Sequence, residues 1–461
     1  MKYLLLLFIT IPAQLLAQTS ITIRHINIVD VKKGVIKPDQ IVYIKGNRIV
    51  SIGKDSNGNK KNLGIELDCH NRYLIPGLWD MHAHDIGWMI PNASHDFITP
   101  IMLANGVTAF RDMWGSQDAL ALRDSVNQNF LVAPRMIVGT PIVNGPRMFF
   151  PGTVTLNTAN EVPAVIDSLQ RERYDFVKVY SYLRRDLFFA LAKHCKEKNM
   201  PFGGHIPIGV SAEDASNAGM QSIEHLFGLR KSFSNQGEQL MVDWEKQMLD
   251  TSVSQFNVLV TSESSTLPFD TTKAKKVAST LVINHTVVVP TLAAAIGYAF
   301  NRDTLMKSAS MVYVPKVLKQ YWYDARSMAL FEKDMFQTFL QMLSFLHKQG
   351  VMILAGTDTG NPFVVPGFSL HDELELYVKA GLTPLEALRT ATLNPAIFLH
   401  KEKELGSVTN GKLADLVILQ KNPLINIKNM RSIDAVIVNG HLIDKNRINK
   451  FLEQLKERAL K

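Results

Sequence analysis

The stretch LIPGLWDMHAHDIGW, residues 74–88, begins as an apolar run and ends in two histidines one residue apart, His82 and His84, with Asp80 and Asp85 beside them. In an extended chain, residues i and i+2 point to the same face. Both imidazoles would therefore face one way, as a shared metal ion requires. A single pair of this kind also arises by chance on a surface loop. What surrounds it decides between the two.

Seven more short apolar runs lie further along the chain: GVTAFRDM (106–113), PRMIVGT (134–140), YDFVKVY (174–180), MPFGGHI (200–206), MQSIEHL (220–226), HTVVVPTL (285–292) and GVMILAGTD (350–358). With YLIPGLWDM (73–81) they make eight. Between most of them lie helix-like stretches such as EVPAVIDSLQRERY and RRDLFFALAKHCKEKNM. Alternating strand and helix implies a parallel sheet, and eight units imply a closed (β/α)₈ TIM barrel, with an open doubly wound sheet as the alternative. Segments 227–284 and 293–349 exceed a simple crossover. They read as packing helices of the outer ring, with part available as a lid.

The two ends have a different texture. ITIRHINIVD and IVYIKGNRIVSIG alternate apolar and polar positions, with Gly46–Asn47 offering a tight turn. KLADLVILQ and DAVIVNGHLID repeat that style near the C-terminus, the second bent at Asn439–Gly440. Neither end buries enough apolar surface alone. Residues 19–73 and 405–461 are expected to form one small composite β-sandwich domain beside a barrel spanning 74–404.

Residues 1–18 have the three-part pattern of a signal peptide: Lys2, an apolar run, and the small residue Ala17 before Gln18. The run is interrupted by Pro12 and Gln14 and falls short of the roughly 20 apolar residues of a membrane helix. The expectation is a periplasmic or secreted protein with no stable membrane anchor after signal removal. Cys69 and Cys195, the two cysteines of the chain, read as buried thiols. The net charge of +8 is scattered, with no basic stripe interleaved with aromatics, which argues against a nucleic-acid partner.

Barrel enzymes place their chemistry at the C-terminal ends of the strands. The first run ends at His82 and His84. The fourth carries Lys178, sharing a face with Phe176 and Tyr180. A buried lysine is expensive, and an ammonium has no lone pair for a metal. The fifth run ends at His205 behind two glycines, the sixth at His225 and the eighth at Asp358. Six side chains capable of ligation would thus converge at one mouth, a set that suits zinc or a similar borderline divalent ion.

At DMHAH, VKVY, GHIP, IEH and GTDTG, in that order, the chain resembles the amidohydrolase superfamily. PGLWDMH, LTPLEALRTATLNPA and GSVTNGKLADLVIL fit as well. With a lysine in the fourth strand it is most similar to imidazolonepropionase-related and Xaa-Pro dipeptidase-type members. The resemblance implies two divalent metal ions, with His82, His84 and Asp358 on the more buried one and His205 and His225 on the other. Lys178, carboxylated to a carbamate, would bridge them. It further implies hydrolysis of an amide-type C–N bond by a metal-bridging hydroxide, with Asp358 as the catalytic base and then acid. The expected substrate is a small molecule, most simply a dipeptide or an N-acyl amino acid. Cyclic amide or lactone hydrolysis, or a non-catalytic barrel that only binds, are the alternatives. Homo-oligomerisation is left open. Many dipeptidase-type relatives use a histidine after the third strand to hold substrate. Here that region reads GTPIVNGPRMFFPG and has none. Tyr180, Arg147 and His371 are the substrate-binding candidates instead.

Overall fold

The computed structural model describes residues 20–54, 64–85, 97–146, 152–265, 267–324 and 333–460. The expected signal peptide and Arg147 lie outside the described residues.

The first apolar run does two jobs. Tyr73–Pro76 is a strand of the composite sheet and Leu78–Ala83 the first barrel strand, with the junction at Gly77. Gly77 is required there: a Cβ would lie 2.0 Å from the Thr108 hydroxyl of the neighbouring strand. Leu78–Ala83 is buried throughout, as expected for a parallel strand covered on both faces.

The parallel strands form two arcs. Leu78–Ala83, Val107–Asp112 and Arg135–Val138 make the first. In the second, Val177–Val179, Phe202–Gly204, Ser222–Glu224 and Val287–Val289 pair in sequence order, with Val143–Asn144 and Val154–Thr155 beyond Val177–Val179. A bridge between Gly139 and Phe176 joins the arcs on one side. On the other side runs the eighth apolar stretch, which is not a regular strand. Its Leu354 N–H donates to the Val288 carbonyl at 3.0 Å, and Met81 N–H donates to Ala355 O at 2.8 Å. Val288 N–H also donates to Met352 O (3.0 Å) and Thr357 N–H to His82 O (3.1 Å), so the stretch is bonded to both neighbours but forms only an isolated bridge, Val288 to Ile353, rather than a ladder.

The cause is local. Asp80 accepts from the Thr357 backbone N–H (2.9 Å) and hydroxyl (2.6 Å), drawing residues 355–358 against the first strand. Gly356 makes the approach possible: a Cβ would fall 2.7 Å from His82 N and 2.5 Å from Val289 Cγ1. Gly356→Ala is expected to destabilise the protein by about 1–3 kcal/mol through overpacking. An unchanged Tm would show that the stretch can back away.

The composite domain is one eight-stranded sheet built from both ends. The order from the C-terminal edge is His441–Ile443, Ile433–Val438, Leu416–Leu419, Tyr73–Pro76, Ser20–Asp30, Val35–Lys45 and Arg48–Lys54, with Ile65–Asp68 also on Ser20–Asp30. Ser20–Asp30 loses register between Ile23 and Ile26. Its first half pairs with Ile65–Asp68 and its second with Tyr73–Pro76. The sheet thereby encloses its own core, in which Ile21, Ile23 and Ile28 meet Leu416, Ile418 and Ile437. Arg135, at the start of the third barrel strand, clamps the two parts together through Asp415 and Asn439. Both cysteines are buried and unpaired. No helix among the described residues is long and apolar enough to cross a membrane.

Candidate metal centre

Two groups of histidines and carboxylates lie close enough to hold an ion among the described residues: His25, Asp68 and His70 on the composite sheet, and the buried His82, His225 and Asp358. The rings of His25 and His70 stack 4.0 Å apart and only 10° from parallel. Ring lone pairs lie in the ring plane, so these run side by side rather than converging. In the buried group, His82 and His225 are 4.8 Å apart with planes 46° apart, a convergent pose.

His82 Nε2 lies 3.3 Å from Asp358 Oδ1 without hydrogen-bond alignment, and His84 Nε2 sits 2.8 Å from the same oxygen. His225 Nε2 is 3.8 Å from Asp358 Oδ2. His205 packs edge-on against His225 at 4.7 Å. Lys178 is 1% exposed in the same space. Its strand neighbour Gly204 leaves room for it: a Cβ there would sit 3.1 Å from Lys178 Cδ and 2.2 Å from the Val179 carbonyl. All six strand-end residues are therefore at one mouth. His225 and Asp358 are also left-handed, with φ of 65° and 62°, and such strain of about 1–3 kcal/mol each persists only where the surroundings enforce it.

Three of the four histidines have one ring nitrogen fixed from outside the mouth. His82 Nδ1 meets Glu224 Oε2 at 2.8 Å, His205 Nδ1 meets Ser181 Oγ at 2.8 Å, and His225 Nδ1 meets Thr291 Oγ1. This is the orienting shell that ligating imidazoles need. Glu224 and its partner Arg111 carry no signal in the apolar pattern. Glu224 also binds Arg111 Nη2 and accepts from Ser222 Oγ at 2.6 Å. Burial alone would raise its carboxyl, but the Arg111 guanidinium and the His82 hydrogen bond outweigh this and hold it well below the usual range.

Electrostatics suit a cation at this mouth. Burial pushes His225 down to about 3 and lowers His84 and His205 too, so their rings are neutral donors. Burial brings Lys178 down to about 8, towards the free amine. Burial opposes ionisation of Asp358, yet His82 and His84 hold its carboxyl well below the usual range. His82 Nε2 and His84 Nδ1 are buried without a hydrogen-bond partner, and a buried unsatisfied ring nitrogen is what a ligand position leaves when only protein atoms are counted. The donor set fits divalent ions.

Of the substrate candidates, Tyr180 is in place, its ring 4.1 Å from that of His205. His371 is not. Its Nε2 contacts the carbonyl of Asn105, which precedes the second barrel strand and so lies at the opposite end from the mouth. Segment 227–284 does reach the site, where Lys231, Leu259, Ser262 and Glu263 line a recess with Ser181 and His205.

The fold is shared with solved structures. A Xaa-Pro dipeptidase with methionine bound in its active site superposes with a TM-score of 0.65 at 20% identity, covering 92% of this chain and 100% of that one. A bottromycin amidohydrolase gives 0.69 at 21%, covering 95% and 90%. In sequence, an ochratoxinase of Aspergillus niger is 38% identical over 91 residues, 19% of this chain and 18% of the relative. An imidazolonepropionase of Geobacillus sp. (strain WCH70) is 35% identical over 100 residues, 21% and 23%. The chain thus spans about a fifth of the length of these curated relatives. Over residues 73–443 it matches the family model described as the amidohydrolase family, and the chain belongs to that family.

Proposed function

We propose that the protein is an exported hydrolase of an amide-type C–N bond, acting on a dipeptide or an N-acyl amino acid with two divalent ions, zinc or a close equivalent. The observation that carries this reading is the single mouth shared by His82, His84, Lys178, His205, His225 and Asp358, three of whose imidazoles are oriented by outer partners. His82, His84 and Asp358 would hold one ion, His205 and His225 the other, and Lys178 both, as its carbamate. Lys178 as a free amine can add to carbon dioxide, releasing a proton and leaving an anionic oxygen ligand in place of an ammonium. Bound ions would polarise the substrate carbonyl and acidify a water.

The chain's own residues do the rest. Asp358 Oδ1 is engaged by His84, which leaves Oδ2 to take a proton from the attacking water and deliver it to the leaving nitrogen. Tyr180, its ring tilted 31° against that of His205, walls the substrate side. Export is supported by the N-terminal pattern alone, and fractionation of the native host tests it.

Metal analysis of purified protein should find about two divalent ions per chain, and a zinc-loaded sample should cleave members of a dipeptide and N-acyl amino acid library. Lys178→Met is expected to lower the metal content and abolish turnover while the protein stays folded, because a thioether cannot form a carbamate. Full metal content and activity in that variant would overturn the carbamate assignment.

A further inference from the structure

Two recesses flank the mouth, and they differ in chemistry. One is bounded by Asp358 and His225 and is otherwise largely apolar, with Leu226, Ala294, Ala295 and Phe339 in its wall. The other adjoins His205 and is mixed, with Ile206, Ile208 and Leu259 in its wall beside the polar and charged Ser181, Lys231, Ser262 and Glu263.

Glu263 is 9% exposed on the helix Gln255–Ser264. No hydrogen bond or ion pair reaches its carboxylate among the described residues. The nearby cations are committed elsewhere. Lys231 Nζ donates to the carbonyls of Pro207 (2.7 Å) and Ile208 (2.8 Å), and Arg230 Nη1 donates to the backbone carbonyl of Glu263 at 2.6 Å. The carboxylate also acts electrostatically on Tyr180, which packs against His205, and on Tyr298, which lines the recess beside Asp358. A largely buried carboxyl that faces a recess with no partner among the described residues is costly to keep and calls for an explanation. Burial pushes this one up to about 8. A cationic group arriving beside it would return it to the ionised form.

Given the amide-hydrolase reading, on which this rests, the two recesses fix a polarity. The leaving nitrogen belongs on the Asp358 side, so the side chain of the C-terminal residue faces the apolar recess, with its carboxylate left towards the open mouth. The acyl half then extends past His205 towards Glu263. We infer that Glu263 receives the α-ammonium of the substrate's first residue, making the enzyme a dipeptidase that selects a free N-terminus over an N-acylated one.

Glycyl-leucine and N-propionyl-leucine have nearly the same shape and differ in the ammonium, as do glycyl-proline and N-propionyl-proline. With zinc-loaded enzyme, kcat/KM is expected to favour the glycyl member of a cleaved pair about tenfold or more, the worth of a hydrogen bond to a charged group. Glu263→Gln should erase that preference by raising KM for the glycyl compound more than for its N-propionyl counterpart. Parental Tm and metal content in the variant are the controls for folding. Hydrolysis of N-propionyl compounds as fast as glycyl ones, or a preference that survives Glu263→Gln, would overturn the inference and leave the amidase reading standing. Cleavage of no member of either pair would sink both.

Discussion

Asp358→Asn is expected to lower kcat/KM by about 10²–10⁴, the usual contribution of a positioned acid–base group. Asparagine keeps the shape and the contact with His84 but can neither accept a proton nor carry the charge that three histidines surround. The backbone there is held by the Asp358 N–H to His82 carbonyl bond (2.6 Å) and by the grip of Asp80 on Thr357. The variant should therefore keep its Tm. Assaying at saturating zinc separates loss of proton transfer from loss of metal. Activity within tenfold of the parent would remove Asp358 from its role.

The second large effect concerns stability. Arg111 is 2% exposed, donates to the Met81 carbonyl (2.8 Å) and Ser222 Oγ (3.0 Å), and lies between the rings of Phe176 and Phe398. Arg111→Met leaves Glu224 charged, buried and without its main counter-ion. Removing one member of such a pair costs about 3–5 kcal/mol. Thermal unfolding should show a much lower Tm, and adding Glu224→Gln should recover part of it, since the two sites are coupled. A parental Tm in the single variant would mean that His82 and Ser222 suffice. The pH sign follows from the depressed carboxyl. In the parent, Glu224's contribution is complete above its ordinary 4.5 and is lost as pH falls towards the depressed value.

The candidate ligand set was legible because His82, His84, His205, His225 and Asp358 fall at the ends of apolar runs and Lys178 interrupts one, and a polar residue at such a place has few other uses in a barrel. What pattern reading missed depends on contacts across the fold. Arg111 and Glu224 sit in separate strands, each looking like an ordinary interior position, and only their meeting inside the barrel makes them a pair. The eighth run looks like a strand from its apolar content, but it makes only an isolated bridge to Val288 before Asp80, a side chain far away in sequence, grips Thr357 and draws the chain against the first strand. His371 follows Asp358 closely, yet the chain leaves the mouth at once. Gly367 already packs on Asn105 at the opposite end, where a Cβ would meet that side chain at 2.8 Å. Glu263 had no pattern to announce it, since it lies within a long helical insertion.

The pairing of Tyr73–Pro76 with Leu416–Leu419 has a consequence for biosynthesis. The first half of the composite sheet emerges early from the ribosome, but its partner strand is made only after the whole barrel. At about 5–20 residues per second, that edge waits on the order of tens of seconds with its backbone groups unsatisfied. During this interval Tyr73–Pro76 is an open template for the wrong strand. A shortened chain ending before Leu416 should accumulate as aggregate, even though every residue of the candidate metal centre is already present in it.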